Sequence, residues 1–431
     1  MVSNGAKQGR FYGWTALSGA MLVFFCGCGN LFYSFGVFVP PMTEEFGWSR
    51  SALAMGYTLF LLIMGLLGPL VGTTVSKFGA RKNVIIGNLV AALGLAGMSL
   101  TQDIWHVYLF FGVLIGIGNA FGTFIPTISI ANNWFIRRKV LAISLVLASG
   151  GVGGFAFPPL IAWLIANLGW QLAWVCLAGI HLVLATGIAG IIIRNKPEDL
   201  GQVPDGKITE VDQEAGPGRV ASGRVYQTPV DWGTKAALRT HALWLIMFFD
   251  AATWFSLNIL TVHQVAYLEG LGFSPMLAAT TLGLVVGMSI FGRLGFGVLG
   301  TRFEIRHLAA ICLAGFGISM VILINIKALP FSIIYLYTIL VGVSYGGLAI
   351  CLPTLLGAYY GRAHYAQILG WSSPIGMLVG AAGPLLAGFI YDQTGNYMPA
   401  FMAAAVLLGL GLVAALLARP PRPGTTRLQK D

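Results

Sequence analysis

The sequence predicts an all-α integral membrane protein with twelve transmembrane helices, arranged as two pseudo-symmetric six-helix halves. Three observations lead to this fold class: a shortage of charge, twelve long apolar runs and an internal repeat. Hydrophobic residues make up 57% of the 431 residues, and charged residues only 9%. Soluble domains carry about 25% charged residues, so a chain this poor in charge cannot cover its own surface in water. A lipid bilayer is the solvent that fits such a composition.

The apolar runs fall into two groups of six. A transmembrane helix needs about 20 mostly apolar residues. Runs of this kind occupy 13–39, 52–75, 83–100, 105–130, 141–166, 170–193, 242–267, 275–299, 308–326, 331–358, 367–390 and 397–418. The stretch between the two groups carries Pro, Gly and charged residues without apolar periodicity, which indicates a mobile linker. The expected regions are an N-terminal bundle at 1–193, a cytoplasmic linker at 194–240, a C-terminal bundle at 241–419 and a cytoplasmic tail at 420–431.

The positions of Lys and Arg predict the orientation. With the N-terminus inside the cell, all 25 Lys and Arg residues except Arg50, Lys327 and Arg293 fall in cytoplasmic segments. Cytoplasmic loops of membrane proteins carry such an excess, so we expect both termini in the cytoplasm and a multi-pass protein of the inner (plasma) membrane. The same bias accounts for the net charge of +10 without a nucleic-acid partner.

An internal repeat relates the two halves. The run Gly72-x-x-x-Ser76-Lys77-Phe78 returns 225 residues later as Gly297-x-x-x-Thr301-Arg302-Phe303. A second pair of sequences, Pro159-Leu160-x-Ala162 and Pro384-Leu385-x-Ala387, has the same offset. Two independent matches at one offset indicate that a six-helix unit has been duplicated.

The loop after the second helix resembles the signature of the major facilitator superfamily. Gly72, Lys77, Gly79 and Arg81 match that signature, and Ser76 stands where the family usually has Asp. The second copy keeps the glycine and the cation, as Gly297 and Arg302. The resemblance implies a carrier whose halves rock about a central site, with these motif residues in the cytoplasmic gate.

A narrower resemblance is to the monocarboxylate porter family, with its bacterial L-lactate and oxalate/formate branches. Phe11-Tyr12-Gly13-Trp14 enters the first helix, and Trp134-Phe135-Ile136-Arg137-Arg138 enters the fifth, as in this family. The eighth helix carries Phe291-Gly292-Arg293, where the family places its substrate arginine. The resemblance therefore implies transport of a small monocarboxylate, with Arg293 as its ligand and Arg137 and Arg138 in the gate.

Two charges lie deep within predicted spans, Arg293 and Asp250. A charge at the bilayer centre costs at least about 2.5–3.5 kcal/mol, so such residues are usually functional. A guanidinium offers two parallel donors to a carboxylate, and one cation favours a monoanion over a dianion. The alternative for Arg293 is a purely structural pairing with Asp250.

Asp250 is the candidate proton site, because arginine does not release its proton. If Asp250 pairs with Arg293 in the empty carrier, an incoming carboxylate competes for the guanidinium, and the unpaired Asp250 then takes up a proton. The alternatives are a fixed counter-ion or a residue in a water-filled vestibule.

Polar side chains in other spans complete the predicted site. The first, fourth, seventh and tenth helices line the path in the superfamily that the chain resembles. We therefore expect Asn119, Tyr345 and Tyr33 to contact the substrate, together with Ser373 of the eleventh helix, although each one is also a candidate for interhelical packing.

The predicted function is proton-coupled symport of small monocarboxylates, such as L-lactate, by alternating access, with the substrate anion, the proton and the bilayer as partners. Neither a phosphate-binding loop nor a zinc-protease motif is present, and we expect a monomer with no enzyme activity, no cofactor and no metal. Two alternatives remain: a proton-independent organic anion exchanger, and a membrane sensor or receptor built on a transporter fold.

Overall fold

The protein forms twelve long helical spans. We analysed a computed structural model, which describes residues 11–32, 34–48, 50–206 and 226–422. The first half contains α1 (Gly13–Cys26, Gly27–Phe32 and Phe35–Phe46), α2 (Arg50–Leu66 and Gly68–Phe78), α3 (Ala80–Met98), α4 (Ile104–Trp134), α5 (Lys139–Leu168) and α6 (Trp170–Ile192). The second half contains α7 (His241–Gly270), α8 (Pro275–Leu299), α9 (Ile305–Ile324), α10 (Ile333–Tyr360), α11 (Tyr365–Thr394) and α12 (Met398–Leu417). The predicted fold class is confirmed.

Most of these helices are long and apolar enough to cross a bilayer on their own. Ten pass that test within the described ranges, and the two parts of α2, bent by 50°, make an eleventh span. The remaining helix, α3 (Ala80–Met98), has Arg81, Lys82 and Asn83 in its first turn. These polar residues shorten its apolar stretch, because the helix starts at the charged end of the molecule.

Several helices depart from regular α geometry near the middle of the bundle. In α1, Gly27–Phe32 is π-helical. In α4, regular helix stops at Gly122 and restarts at Phe124, because Thr123 has φ −113° and ψ −86°. Prolines lie inside α10 (Pro353) and α11 (Pro374 and Pro384). Irregular turns of this kind are common at functional sites and hinges.

One end of the bundle carries the short turns α2–α3, α4–α5, α8–α9 and α10–α11, and we call it the basic end. Lys77, Arg137, Arg138 and Arg302 lie in these turns and are exposed. The side chain of Arg138 also lies over the ring of Trp14, with its Cζ atom 6.0 Å from the ring centroid. Exposed cations in these loops fit the predicted gate turns.

The two halves share a hydrophobic core at the basic end. Trp134 and Val140 of the first half pack in the same buried cluster as Tyr359 and Tyr360 of the second half. Toward the opposite end, the first half has a separate core built around Phe38, Phe111 and Trp174, whose described members all belong to that half. The halves are therefore in closest contact at the basic end.

Glycines of the repeated motif permit this contact. A side chain at Gly72 of α2 would collide with the carbonyl oxygen of Ala366 in α11, and one at Gly297 of α8 would collide with Ser144 in α5. The two contacts are related by the internal repeat, so α2 against α11 and α8 against α5 form a pseudo-symmetric pair. Small residues allow helices in a membrane to approach this closely.

The described parts of the predicted linker form short helical turns and contact the bundle. Residues 194–206 contain a 3-10 turn at Pro197–Leu200, and residues 226–240 contain a short helix at Thr234–Leu238. Backbone bonds tie the second part to α10, from Thr228 N–H to Ala358 O (2.8 Å) and from Trp232 N–H to Tyr360 O (3.0 Å). The mobility of the linker stays a prediction, but local polarity did not reveal that backbone groups of these parts find partners on the bundle.

Candidate functional site

A cavity of ≈ 170 Å³ lies between the two halves. It is small beside the roughly 300–1,000 Å³ pockets that hold drug-sized ligands. Its lining includes Phe24, Cys28, Met64, Asn119, Thr123 and Leu147 from the first half, and Asp250, Trp254, Arg293, Tyr345, Ser373 and Met377 from the second. The walls are mostly apolar, so the few polar groups decide what the cavity binds.

Arg293 is the cation of this cavity, and its side chain crosses between the halves. Nη1 donates to the carbonyl oxygen of Leu147 in α5 at 2.8 Å. The guanidinium carbon lies 5.6 Å from the ring centroid of Tyr345, within the range of a cation–π contact. Arg293 is only 6% exposed. It reaches the first half because Gly151 of α5 leaves room, since a Cβ there would lie 3.1 Å from Nη1.

Asp250 lines the same cavity but on a different wall. A Cβ built on Gly376 of α11 would lie 3.2 Å from Asp250 Oδ2. Among the residues that the structure describes, no ion pair joins this carboxylate to Arg293. The expected pairing in the empty carrier is therefore not seen in this conformation, because Arg293 points toward α5 and α10 whereas Asp250 faces α11.

The other predicted ligands divide into two groups. Asn119, Tyr345 and Ser373 all line the cavity, and Asn119 is 4% exposed. Its Nδ2 donates to the sulfur of Met64 at 3.3 Å, while its Oδ1 has no hydrogen-bond partner in the described part of the chain. Tyr33 lies outside the described residues, so its predicted contact with substrate stays a prediction.

Thr123 is a cavity residue that sequence reasoning missed. It occupies the break in α4 and packs against Gly27, where an added side chain would collide with it. Its hydroxyl is buried and has no partner among the described residues. Cys28, Met64 and Trp254 were also missed. Within an apolar span these residues look like packing residues, so no local pattern distinguishes them.

Two residues of the predicted gate motif anchor the first half internally. Gly79 ends α2 with a positive φ of 88°, a conformation that favours glycine. Arg81 donates from Nε to Gly190 O at the end of α6 (2.8 Å), and its backbone N–H donates to Asn195 Oδ1 (2.8 Å). Gly72, by contrast, packs against Ala366 of α11 in the other half.

The sequence and the fold match known proteins. A family model described as Major Facilitator Superfamily matches residues 20–306 and 289–431. Monocarboxylate transporter 13 of Bos taurus is 27% identical over 387 residues, covering 89% of this chain and 84% of that protein. Monocarboxylate transporter 4 of Gallus gallus is 24% identical over 436 residues, covering 96% and 85%. A crystal structure of a double tryptophan mutant of XylE superposes with a TM-score of 0.75 at 14% identity, covering 94% of this chain and 95% of that one.

Proposed function

This chain belongs to the Major Facilitator Superfamily and is a membrane transporter, not an enzyme; we propose that it carries small monocarboxylates such as L-lactate together with a proton, by alternating access. The observation that carries this proposal is the position of Arg293, a buried cation that lines a small cavity between the two halves.

A carboxylate is the ligand that suits this cavity. Arg293 offers a planar set of donors to an anion, and the apolar walls exclude water, which strengthens charge-assisted hydrogen bonds. The cavity contains one arginine against one carboxylate, Asp250, which favours a monoanion. The curated relatives named above are monocarboxylate transporters, and this agreement supports the same substrate class here.

The contact between Arg293 and Leu147 suggests how binding is linked to rocking. This bond joins α8 of the second half to α5 of the first. A substrate carboxylate that takes both donors of the guanidinium competes with the Leu147 carbonyl, so binding replaces a contact between the halves with a contact to the substrate. Substrate binding then changes the balance between the two conformations of the carrier.

Asp250 is the proposed proton acceptor. It lines the cavity and makes no hydrogen bond or ion pair with another described residue. A substrate anion in the same small cavity disfavours the charged form of this carboxylate through like-charge repulsion. Protonation of Asp250 removes that repulsion, so the anion and the proton enter together.

We further propose that the basic end faces the cytoplasm of the cell, with both termini on that side and the carrier in the plasma membrane. Positive loops are retained on the cytoplasmic side during insertion. In this orientation, the described conformation is closed toward the cytoplasm.

The test is uptake of labelled L-lactate into proteoliposomes that contain the pure protein, with and without an inward proton gradient. We expect transient accumulation that requires the gradient and falls at least about tenfold in Arg293→Ala, a loss of at least about 1.4 kcal/mol. Arg239→Ala is the matched control, because Arg239 is exposed at the basic end. Uptake by Arg293→Ala equal to that of the control would overturn the proposal.

A proton-independent exchanger is the second candidate function. It is favoured by one observation, that Arg293 contacts Leu147 and Tyr345 whereas Asp250 lies against Gly376 on another wall, so substrate that binds Arg293 need not act on Asp250. An exchanger takes up lactate only when the liposomes are preloaded with a carboxylate, and it ignores the proton gradient. The same assay therefore separates the two functions.

A further inference from the structure

We propose that Asp205 and Asp231 are positioning residues of the transport cycle. Each binds the backbone of one turn at the basic end, α4–α5 in the first half or α10–α11 in the second, beside the side chains that bridge the halves. Together they stabilise the conformation in which that end is closed.

Asp205 binds the turn between α4 and α5. Its Oδ2 accepts hydrogen bonds from the backbone N–H groups of Ile136 (2.9 Å) and Arg137 (2.7 Å), directly before α5 begins at Lys139. A carboxylate near a helix N-terminus also interacts favourably with the helix dipole. Asp205 has a φ of +59°, a conformation that is uncommon for residues other than glycine and that Asp and Asn tolerate best.

Asp231 binds the corresponding turn of the second half. Its Oδ1 accepts from the backbone N–H groups of Arg362 (2.5 Å) and Ala363 (3.2 Å), directly before α11 begins at Tyr365. Arg137 and Arg362 are related by the 225-residue offset of the internal repeat. One segment of chain, 194–240, therefore supplies an aspartate to equivalent turns in both halves.

The turns that these aspartates hold carry the side chains that bridge the halves. Lys139 Nζ donates to Gly357 O of α10 at 3.0 Å and is 2% exposed. Arg362 Nη2 donates to Asn133 O of α4 at 2.5 Å, and it lies 3.5 Å from Glu198 Oε1 in the first part of the same segment. Both bridging bonds must break before the basic end opens.

Asp205 and Asp231 act on this gate through the backbone of its turns. Each aspartate binds a turn of a single half, so its loss leaves the helices of that half in contact with one another. What is lost is the fixed position of Lys139 and Arg362. Because the closed and open conformations are in equilibrium, weaker bridges shift the population toward the conformation that is open at the basic end.

The test measures side-specific access to Cys28, which lines the cavity. Cys26, Cys312 and Cys351 are buried, and Cys176 is partly exposed on α6, so the background protein carries Cys176→Ser. A membrane-impermeant maleimide is applied from the basic side to Asp205→Gly, Asp231→Ala and the double variant in vesicles. Glycine suits the left-handed backbone at position 205, and neither replacement keeps a side-chain acceptor for the backbone N–H groups, which an asparagine would. Asp199→Ala is the matched control, since Asp199 is exposed in the same segment.

We expect severalfold faster labelling of Cys28 from the basic side in the double variant than in the unmodified background, and an unchanged rate in Asp199→Ala. Labelling from the opposite side should fall, and the KM for substrate supplied from that side should rise by a similar factor, since fewer carriers are open to it. A general loss of stability would not raise labelling from one side and lower it from the other.

Equal labelling rates in the double variant and in Asp199→Ala would overturn the proposal. If the double variant does not fold, Arg362→Gln, which removes the guanidinium bond to Asn133 O, is compared with Arg239→Gln. Faster labelling from the basic side in Arg362→Gln alone supports the gate, and unchanged labelling there contradicts it.

Discussion

At the scale of single residues, the membrane-embedded charges have separate surroundings within one cavity. Arg293 contacts α5 and Tyr345, whereas Asp250 lies against α11 at Gly376. A charge in the membrane interior is costly, so both residues are expected to serve a function. Because the two side chains lie on different walls of the cavity, a solute can occupy the space between them. This arrangement also makes their roles testable one at a time.

Replacement of Asp250 by Asn separates proton coupling from substrate binding. Asp250→Asn keeps the size of the side chain but cannot accept a proton in the physiological range. We expect the variant to exchange labelled for unlabelled lactate, because Arg293 is intact, and to lose accumulation driven by a proton gradient. The measurement is counterflow beside gradient-driven uptake in the same proteoliposomes. Gradient-driven accumulation in this variant would contradict the proton role of Asp250.

At the scale of helices, glycine determines how closely the halves approach. Gly297 of α8 faces Ser144 of α5, and Gly72 of α2 faces α11. Neither contact leaves room for a methyl group. By contrast, nothing lies within 4 Å of a Cβ built on Gly295, only two residues from Gly297. Gly72 and Gly297 are therefore required by packing between helices, whereas Gly79 is favoured by its positive φ.

Gly297→Ala should therefore weaken the α5–α8 contact. An overpacked contact of this kind costs about 1–3 kcal/mol, and we expect lower thermal stability and lower uptake. Ser144→Gly in the same chain removes the colliding atoms and should restore part of both. Gly295→Ala is the control and should match the unmodified protein. An equal effect at the two glycines would show that the α5–α8 contact is not responsible.

At the scale of the whole molecule, the two halves behave as separate bodies held together at one end. The first half has its own core toward the opposite end, and a shared core lies at the basic end. Each described part of the 194–240 segment binds the half to which it is attached in sequence, through Asp205 in one case and Asp231 in the other. Most of the hydrogen bonds that hold the described linker residues in position would therefore remain if the chain were cut between the two parts of the segment.

A split carrier tests this conclusion. Co-expression of residues 1–216 with 217–431 keeps Asp205 on the first fragment and Asp231 on the second. We expect the fragments to copurify and to transport lactate at a rate comparable to the intact chain, since the shared core at the basic end is unchanged. Each fragment expressed alone is the control. Copurified fragments without transport would indicate that the covalent connection itself is needed.

Much of the candidate site was predictable because a polar or charged residue stands out in an apolar span, and because the family resemblance pointed to Arg293 and to the helices that line the path. Arg293, Asp250, Asn119, Tyr345 and Ser373 were identified from these two sources, and the structure places all five on one cavity. Thr123 was not identified, because threonine is ordinary in a helix and the break at that position is a property of the assembled bundle. Proton coupling and substrate identity stay predictions.

The sequence by itself determined the membrane environment, the twelve spans, the duplication and the superfamily, since these depend on composition and on patterns along the chain. Only the tertiary structure decided which way Arg293 points, that Asp250 does not meet it, and that the linker ends bind the gate turns. Each of these depends on residues that are far apart in the chain, such as Lys139 and Gly357, which are 218 positions apart. Contacts at that separation follow from how the helices pack, because no local pattern records which carbonyl or amide will be within reach.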